Sequence, residues 1–407
     1  MRPRGARQPA FVDRSGQRRH RPDYVLLLLS VALLVVGLIV VYAISPGLAA
    51  QKNLSENFIV TKQIITTTLA LLTFVVVSRV PTPLWKKLSK PLIVLAAGAS
   101  LLALVLPVSP DYPAHRWIRI GGQSLQSVEI IKLAIVVSLA AFLSQRMSRG
   151  AIADSKRTLN PILVILGVLG VVVAGAQQDL GSTGVLVVMM AAMAYIAGLP
   201  LKRVAQIGGI IIIGTFIAIS SSGYRRDRVL TYLNPEQDCQ NAGYQACQAL
   251  IAVGSGGISG KGLGYGAQAY GYLPEASNDS IFAILAEKFG FIGTSVILAL
   301  YVGLFSRIKN ILERAADNFS RLMVAGVLAW LSTQTLINIG SMIGLLPLKG
   351  ITLPFISAGG TSVLFVSAAI GIVFQISHYT TFGVNNITEN QEERGSGSDW
   401  RRDRRQG

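Results

Sequence analysis

The sequence predicts an all-α polytopic membrane protein of about ten transmembrane helices. Three observations predict it. The 407 residues are 51% hydrophobic and only 14% charged, with a mean hydropathy of +0.52, which is too apolar for a chain of soluble domains. Apolar stretches of about 20 residues, the length a spanning helix needs, recur from Tyr24 to the end of the 370s. Basic residues fall in the tails and in alternate loops, the asymmetry expected of membrane orientation.

The spans fall at about 24–45, 61–80, 89–108, 127–145, 160–176, 182–199, 204–222, 280–304, 321–345 and 358–382. Pro22, Pro91 and Pro161 sit near helix starts, where a missing N–H costs little. The first span is longer than a signal-peptide core and lacks a small-residue cleavage site, so it reads as an uncleaved helix. With the N-terminus cytoplasmic, Arg2 to Arg21, Arg79 to Lys90, Arg146 to Arg157, Lys202 and Arg203, Arg307 to Arg321, and Arg394 to Arg405 all lie on that side, and so do both termini. The formal charge of +17 is thereby explained by topology, and a nucleic-acid partner is not expected.

Three regions follow: a basic disordered tail at 1–22, a transmembrane domain at 23–382, and a second disordered tail at 383–407. The one long connection, an extracytoplasmic segment at 223–278 between the seventh and eighth helices, is too long to be structureless and is expected to be functional. Within it, Gly243 to Val253 suits a short amphipathic helix, and the glycine-rich run Gly254 to Gly266 suits tight turns. Cys239 and Cys247 lie there too, where a disulfide is chemically permitted and two free thiols are the alternative.

Several motifs fail on inspection. Gly256 to Gly262 imitates a phosphate loop, but Ser255 replaces the first glycine and Gly262 replaces the magnesium-binding hydroxyl. With three histidines and no Cys/His cluster, a transition-metal site is not expected. Ionisable residues in or beside apolar helices are more telling, because they are costly there. Glu129 and Lys132 share a helix face, either as a self-neutralising pair or as substrate ligands. Asp279 stands where the long segment re-enters the membrane, where Asp279 or Asn278 caps the eighth helix, or where a desolvated Asp279 carboxyl accepts a proton. The glycine- and proline-broken segment Pro347 to Ser362 lies on the same side. Its Lys349 either pairs with phosphate or snorkels at the interface.

Together these segments resemble the SEDS family of shape, elongation, division and sporulation proteins, over roughly residues 23 to 382. The similarity rests on Leu273-Pro274-Glu275 with Asp279 and Ile281-Phe282-Ala283, on Glu287 and Gly290, and on Pro347 to Ser362. Arg116-Trp117-Ile118, Glu129 with Lys132, Gln178-Asp179-Leu180-Gly181, Gln245 to Ala252, Gly260-Lys261-Gly262 and Asn338 add to it. The resemblance implies a peptidoglycan glycosyltransferase that polymerises lipid II on the outer face of the cytoplasmic membrane, with Asp279 as catalytic base. Lys132, Glu129, Arg116, Glu275, Lys349 and Asp179 become candidate substrate ligands. A divalent cation, magnesium or manganese, is a candidate cofactor with no metal ligand assigned. Lys349-Gly350-Ile351-Thr352-Leu353-Pro354 is more similar to the FtsW branch than to the RodA branch, which implies septal synthesis, a class B penicillin-binding transpeptidase and other divisome membrane proteins as partners. Departures from the family pattern are Ser127 in Gln126-Ser127-Val128-Glu129, Ser280 and Ala358. The rival readings are a lipid II flippase, a RodA-like elongation polymerase and an inactive scaffold.

Overall fold

The computed structural model describes residues 21–51, 53–107, 115–120, 123–152, 154–200 and 243–379, with ten isolated positions between 202 and 241. Most of the expected seventh helix at 204–222, nearly all of both tails and much of the long connection lie outside the described residues.

The helices are α1 (Tyr24–Gln51), α2 (Glu56–Val77), α3 (Thr82–Val105), α4 (Ser127–Ser148), α5 (Asn160–Leu169), α6 (Leu180–Ile196), α7 (Tyr244–Ser255), α8 (Ile281–Glu313), α9 (Asn318–Met342) and α10 (Gly360–Ser377). Among the described residues, eight helices are long and apolar enough to cross a membrane, counting Lys156–Ala176 around α5 as one, and α6 is a shorter apolar helix. The protein is therefore a multi-pass membrane protein. One addition to the all-α expectation is a small antiparallel hairpin ahead of α4, β1 (Trp117–Ile120) with β2 (Gln123–Gln126), in which Trp117 faces Gln126.

The centre of the bundle is α4, α6, α9 and α10. Most of the α4 and α9 windows is buried, 78% and 72% respectively, whereas α2, α3 and the Lys156–Ala176 span are each 17% buried and leave their apolar sides outward, toward lipid. α3 packs along α4, α10 along α2, and α9 against α6, α8 and α4. At the end carrying the chain's entry, Asp23 accepts from Leu26 N–H and pairs with Arg307 at 2.6 Å, joining the start of α1 to α8.

α8 is broken at Gly290, whose φ of 63° and ψ of −163° are open to glycine alone. The glycine-rich run fills the break. Lys261 N–H donates to Glu287 O at 2.9 Å and Gly262 N–H to Lys288 O at 2.9 Å, while Phe291 and Ile292 N–H groups donate to Gly257 O and Ile258 O at 2.9 and 3.1 Å. The helix carbonyls and N–H groups freed by the break are thus satisfied by backbone, as an apolar setting demands. Any Cβ at Gly256, Gly260 or Gly290 would run into the opposing backbone. The run rejected as a phosphate loop is a clasp on α8. Its side-chain rivets are Lys288, which donates to Leu263 O at 2.8 Å, and the wholly buried Glu287, 3.6 Å from Lys261.

A Gly290→Ala protein is expected to lose about 2–4 kcal/mol of stability from strain and overpacking. Thermal unfolding of the detergent-solubilised protein measures this, and an unchanged midpoint would show that the clasp does not require the glycine.

Candidate functional site

The N-terminal ends of α4, α6, α8 and α10 meet at one end of the bundle together with two irregular segments, Leu273–Ser280 and 343–359. Direct bonds tie them. Gln126, just before α4, donates from its side chain to Asp179 Oδ2 at 3.3 Å and from its backbone to Thr361 Oγ1 at 3.4 Å. Asp179 caps α6, accepting from Ser182 N–H at 2.9 Å and Ser182 Oγ at 2.8 Å. Ala358 N–H and Ser357 Oγ donate to Ser277 O and Asn278 O at 2.8 and 2.7 Å, stitching the two irregular segments together. Each helix start contributes about half a positive charge, so this end attracts anions.

Asp279 sits in the middle of these elements. Neither Asp279 nor Asn278 caps α8: the cap position is Ser280, whose hydroxyl donates to Pro274 O at 2.9 Å, while Asn278 Nδ2 donates to Glu275 at 2.6 Å. Among the described residues no hydrogen-bond donor engages the Asp279 carboxylate. Asp279 and Arg116 both approach Gly350, where a Cβ would lie 3.0 Å from Asp279 Oδ2 and 3.5 Å from Arg116 Nη2. Arg116 in turn lies 4.0 Å from Asp179. Lys349 is half-buried beside Gly350, and its Cβ lies close to Gly181 at the start of α6. Asp279, Arg116, Asp179, Glu275 and Lys349 are therefore gathered at one place.

Glu129 and Lys132 are placed differently. Each is 2% exposed, Lys132 Nζ donates to Glu129 at 2.8 Å and to Gln334 Oε1 at 2.9 Å, and the ammonium lies 4.9 Å from the Trp330 ring centre. They form the self-neutralising pair, enclosed by protein, and reach the site through Gln334, whose Nε2 donates to Thr352 O at 2.9 Å. Breaking such a pair costs about 3–5 kcal/mol because the remaining charge is stranded.

Gln334 and Asn338 are the residues whose roles sequence reasoning missed. Asn338 is wholly buried, and its Nδ2 donates to both Asp279 O and Ile351 O at 2.7 Å. Their signal was available: Trp330, Gln334 and Asn338 follow at four-residue intervals on one face of an otherwise apolar α9, and polar side chains at that depth need partners. Backbone strain marks the same place. Gln178, Glu275 and Phe355 hold φ values of 54°, 50° and 68°, each at a cost of order 1–3 kcal/mol that the surrounding bonds must sustain.

Burial pushes the Asp279 carboxyl up to about 7; the charges of Glu275 and Asp179 add to the rise, and Arg116 opposes it. A group shifted this way is a competent base near neutral pH. A divalent cation would find only hard oxygen donors here. No group of three acidic, His or Cys side chains able to hold a metal occurs among the described residues, and Asp179 is committed to Arg116, Gln126 and Ser182. Asp279 and Glu275 suit an ion of the magnesium type, which takes one or two carboxylates and completes its shell with substrate phosphates and water.

The fold and site define a multi-pass membrane protein with a carboxyl of near-neutral pKa set among helix N-termini and an arginine. The sequence pattern of the FtsW/RodA/SpoVE family, described as cell cycle protein, matches residues 24–382, and the chain belongs to that family. Stage V sporulation protein E of Bacillus subtilis is 34% identical over 366 residues, covering 90% of this chain and 99% of its own. Proteins named probable peptidoglycan glycosyltransferase FtsW are 35% identical in Coxiella burnetii, over 88% of this chain and 96% of that one, and 32% identical in Geobacter sp. strain M18, over 87% and 96%. Among solved structures, a chain from a study of structural coordination of polymerization and crosslinking by a peptidoglycan synthase complex superposes with a TM-score of 0.70 at 23% identity, covering 88% of this chain and 97% of that one. Thermus thermophilus rod shape determining protein RodA gives 0.62 at 22% identity, covering 88% and 96%. These two show the shared fold.

Because the pKa of Asp279 is raised, the carboxylate is present above about pH 7 and lost as pH falls through that value. Any rate that needs it as a base should rise tenfold per pH unit below about 7 and level off above. A pH–rate profile checks this, and a limb near the ordinary aspartate value would contradict the effect of burial.

Proposed function

We propose that this protein is a peptidoglycan glycosyltransferase that polymerises lipid II into glycan strands on the outer face of the cytoplasmic membrane during septal wall synthesis. Asp279 carries the reading: a carboxylate with no hydrogen bond among the described residues, held near neutral pKa and flanked by Arg116, in a chain whose relatives at 32–35% identity bear that enzyme name. Lys349, the FtsW-type residue of its segment, supports division over elongation.

The chemistry is a single displacement. Asp279 takes the proton of the acceptor sugar's 4-hydroxyl as that oxygen attacks the anomeric carbon of the donor, and undecaprenyl pyrophosphate leaves with inversion. Two groups stabilise the departing pyrophosphate: the guanidinium of Arg116 and the converging helix N-termini, both fixed before the substrate arrives. Lys349 adds a point charge beside them. A divalent cation on Asp279 and Glu275 would supply further neutralisation of the pyrophosphate. Glu129, Lys132, Gln334 and Asn338 act on this chemistry by holding its frame, with no contact to substrate. The partner is a class B penicillin-binding transpeptidase, which crosslinks the strands, together with other septal membrane proteins.

Purified protein with its penicillin-binding partner should polymerise lipid II in detergent, and Asp279→Asn should slow this at least about 100-fold, the contribution of a general base, with unchanged thermal stability. Normal polymerisation by Asp279→Asn would refute the base assignment. Lipid II movement across sealed vesicles with no polymer formed would favour the transporter reading instead.

A further inference from the structure

We propose that the disulfide between Cys239 and Cys247 and the side chain of Gln245 form a latch that positions Asp279, so that polymerisation depends on the oxidised state of the pair; this rests on the assignment of Asp279 as base. The bridge joins residues eight apart and encloses Gln245. It ties the first turn of α7, where Cys247 N–H donates to Gly243 O at 2.9 Å, to the chain that precedes it. Cys247 is buried at 5% exposure, and α7 packs against α8 and α9. A helix as short as the 12 residues of α7 is marginal on its own, so its register depends on what anchors it.

That register matters at one atom. Gln245 Nε2 donates to Ser280 Oγ at 3.1 Å, and Ser280 Oγ donates onward to Pro274 O at 2.9 Å. Ser280 is wholly buried, and its N–H donates to Glu275 O at 3.2 Å. The chain Gln245 to Ser280 to Pro274 closes the turn at both ends of the stretch carrying Asp279. Asn338 holds the Asp279 carbonyl from the α9 side; Gln245 holds the following residue from the α7 side. Gln245 is thus a positioning residue, acting through Ser280 without touching substrate. Opening the bridge frees the α7 turn, and the Ser280 hydroxyl loses its outer partner.

The test uses the purified full-length protein with its penicillin-binding partner and lipid II. A dithiol reductant opens the bridge by two exchange steps: its sulfurs close into a ring while Cys239 and Cys247 take up two electrons and two protons, and glutathione disulfide reverses the change. Reduction, Cys239→Ser/Cys247→Ser and Gln245→Leu should each lower kcat by roughly 3- to 10-fold, the worth of one neutral hydrogen bond, with KM unchanged. Reoxidation should restore the wild type, and combining Gln245→Leu with reduction should cost no more than either alone, because both remove one interaction. Wild-type rates after reduction and in Gln245→Leu, beside an inactive Asp279→Asn, would overturn the latch and leave the base standing. A fully reductant-sensitive Gln245→Leu, or a fall confined to KM, would also overturn it. An active Asp279→Asn would remove the base assignment, and the latch with it.

Discussion

One buried side-chain amide determines the geometry of the whole site. Asn338 Nδ2 bonds the carbonyls of Asp279 and Ile351 at 2.7 Å each, and these belong to the two non-helical segments that frame the candidate site. Irregular backbone at the edge of a membrane is tolerable only if its polar groups find partners, since an unsatisfied one costs several kcal/mol. A single amide spends both protons on that need and thereby sets the spacing of the two segments. One turn earlier on α9, Gln334 does the same for Thr352 and is itself held by Lys132 and Trp330. The buried Glu129–Lys132 pair is best understood as the far anchor of this frame.

Electrostatic balance follows from the frame. Helix N-termini and Arg116 make the site hospitable to an anion, while burial, Glu275 and Asp179 hold Asp279 reluctant to ionise. If Arg116 bonded Asp279 directly, the carboxyl would be a weaker base. Its guanidinium instead lies 4.0 Å from Asp179, which also serves as the α6 cap. The same economy appears at the clasp, where the glycine-rich run and the break in α8 satisfy one another's backbone groups and set the short helical start after Asp279 apart from the lipid-facing remainder.

Much of this was legible in the sequence. Apolar run length predicts that the described spanning helices exist and roughly where they lie, because hydrocarbon thickness leaves little freedom, but not their ends: α1 runs on to Gln51, α3 starts at Thr82 with Pro91 inside it, and α8 continues to Glu313. α7 was legible from its amphipathic pattern, and the polar end from Asp279, Lys349 and Pro347 to Ser362. That Asp279 does not cap α8 was not, since a cap and a base have the same spacing, and only the observed cap position at Ser280 and a carboxylate unengaged among the described residues tell against the cap. Lys132 was equally ambiguous, because a helical i, i+3 pair looks the same buried or lining a site. The glycine run resembled a phosphate loop because close backbone approach is what both require. Gln334 and Asn338 carried a signal in their four-residue spacing, but apart from Trp330 their side-chain partners are 13 to 202 residues away in sequence, and only the fold brings them together.

If Asp279 is the base, the Asn338 amide, which bonds its carbonyl and that of Ile351, should set the rate of the displacement step. Single-turnover polymerisation by Asn338→Leu, which keeps the volume and removes both donors, measures it directly. The expected result is a fall in the single-turnover rate of roughly 100-fold, the cost of about 1 Å of misplacement, with lipid II binding retained. A wild-type single-turnover rate in a folded Asn338→Leu protein would contradict it.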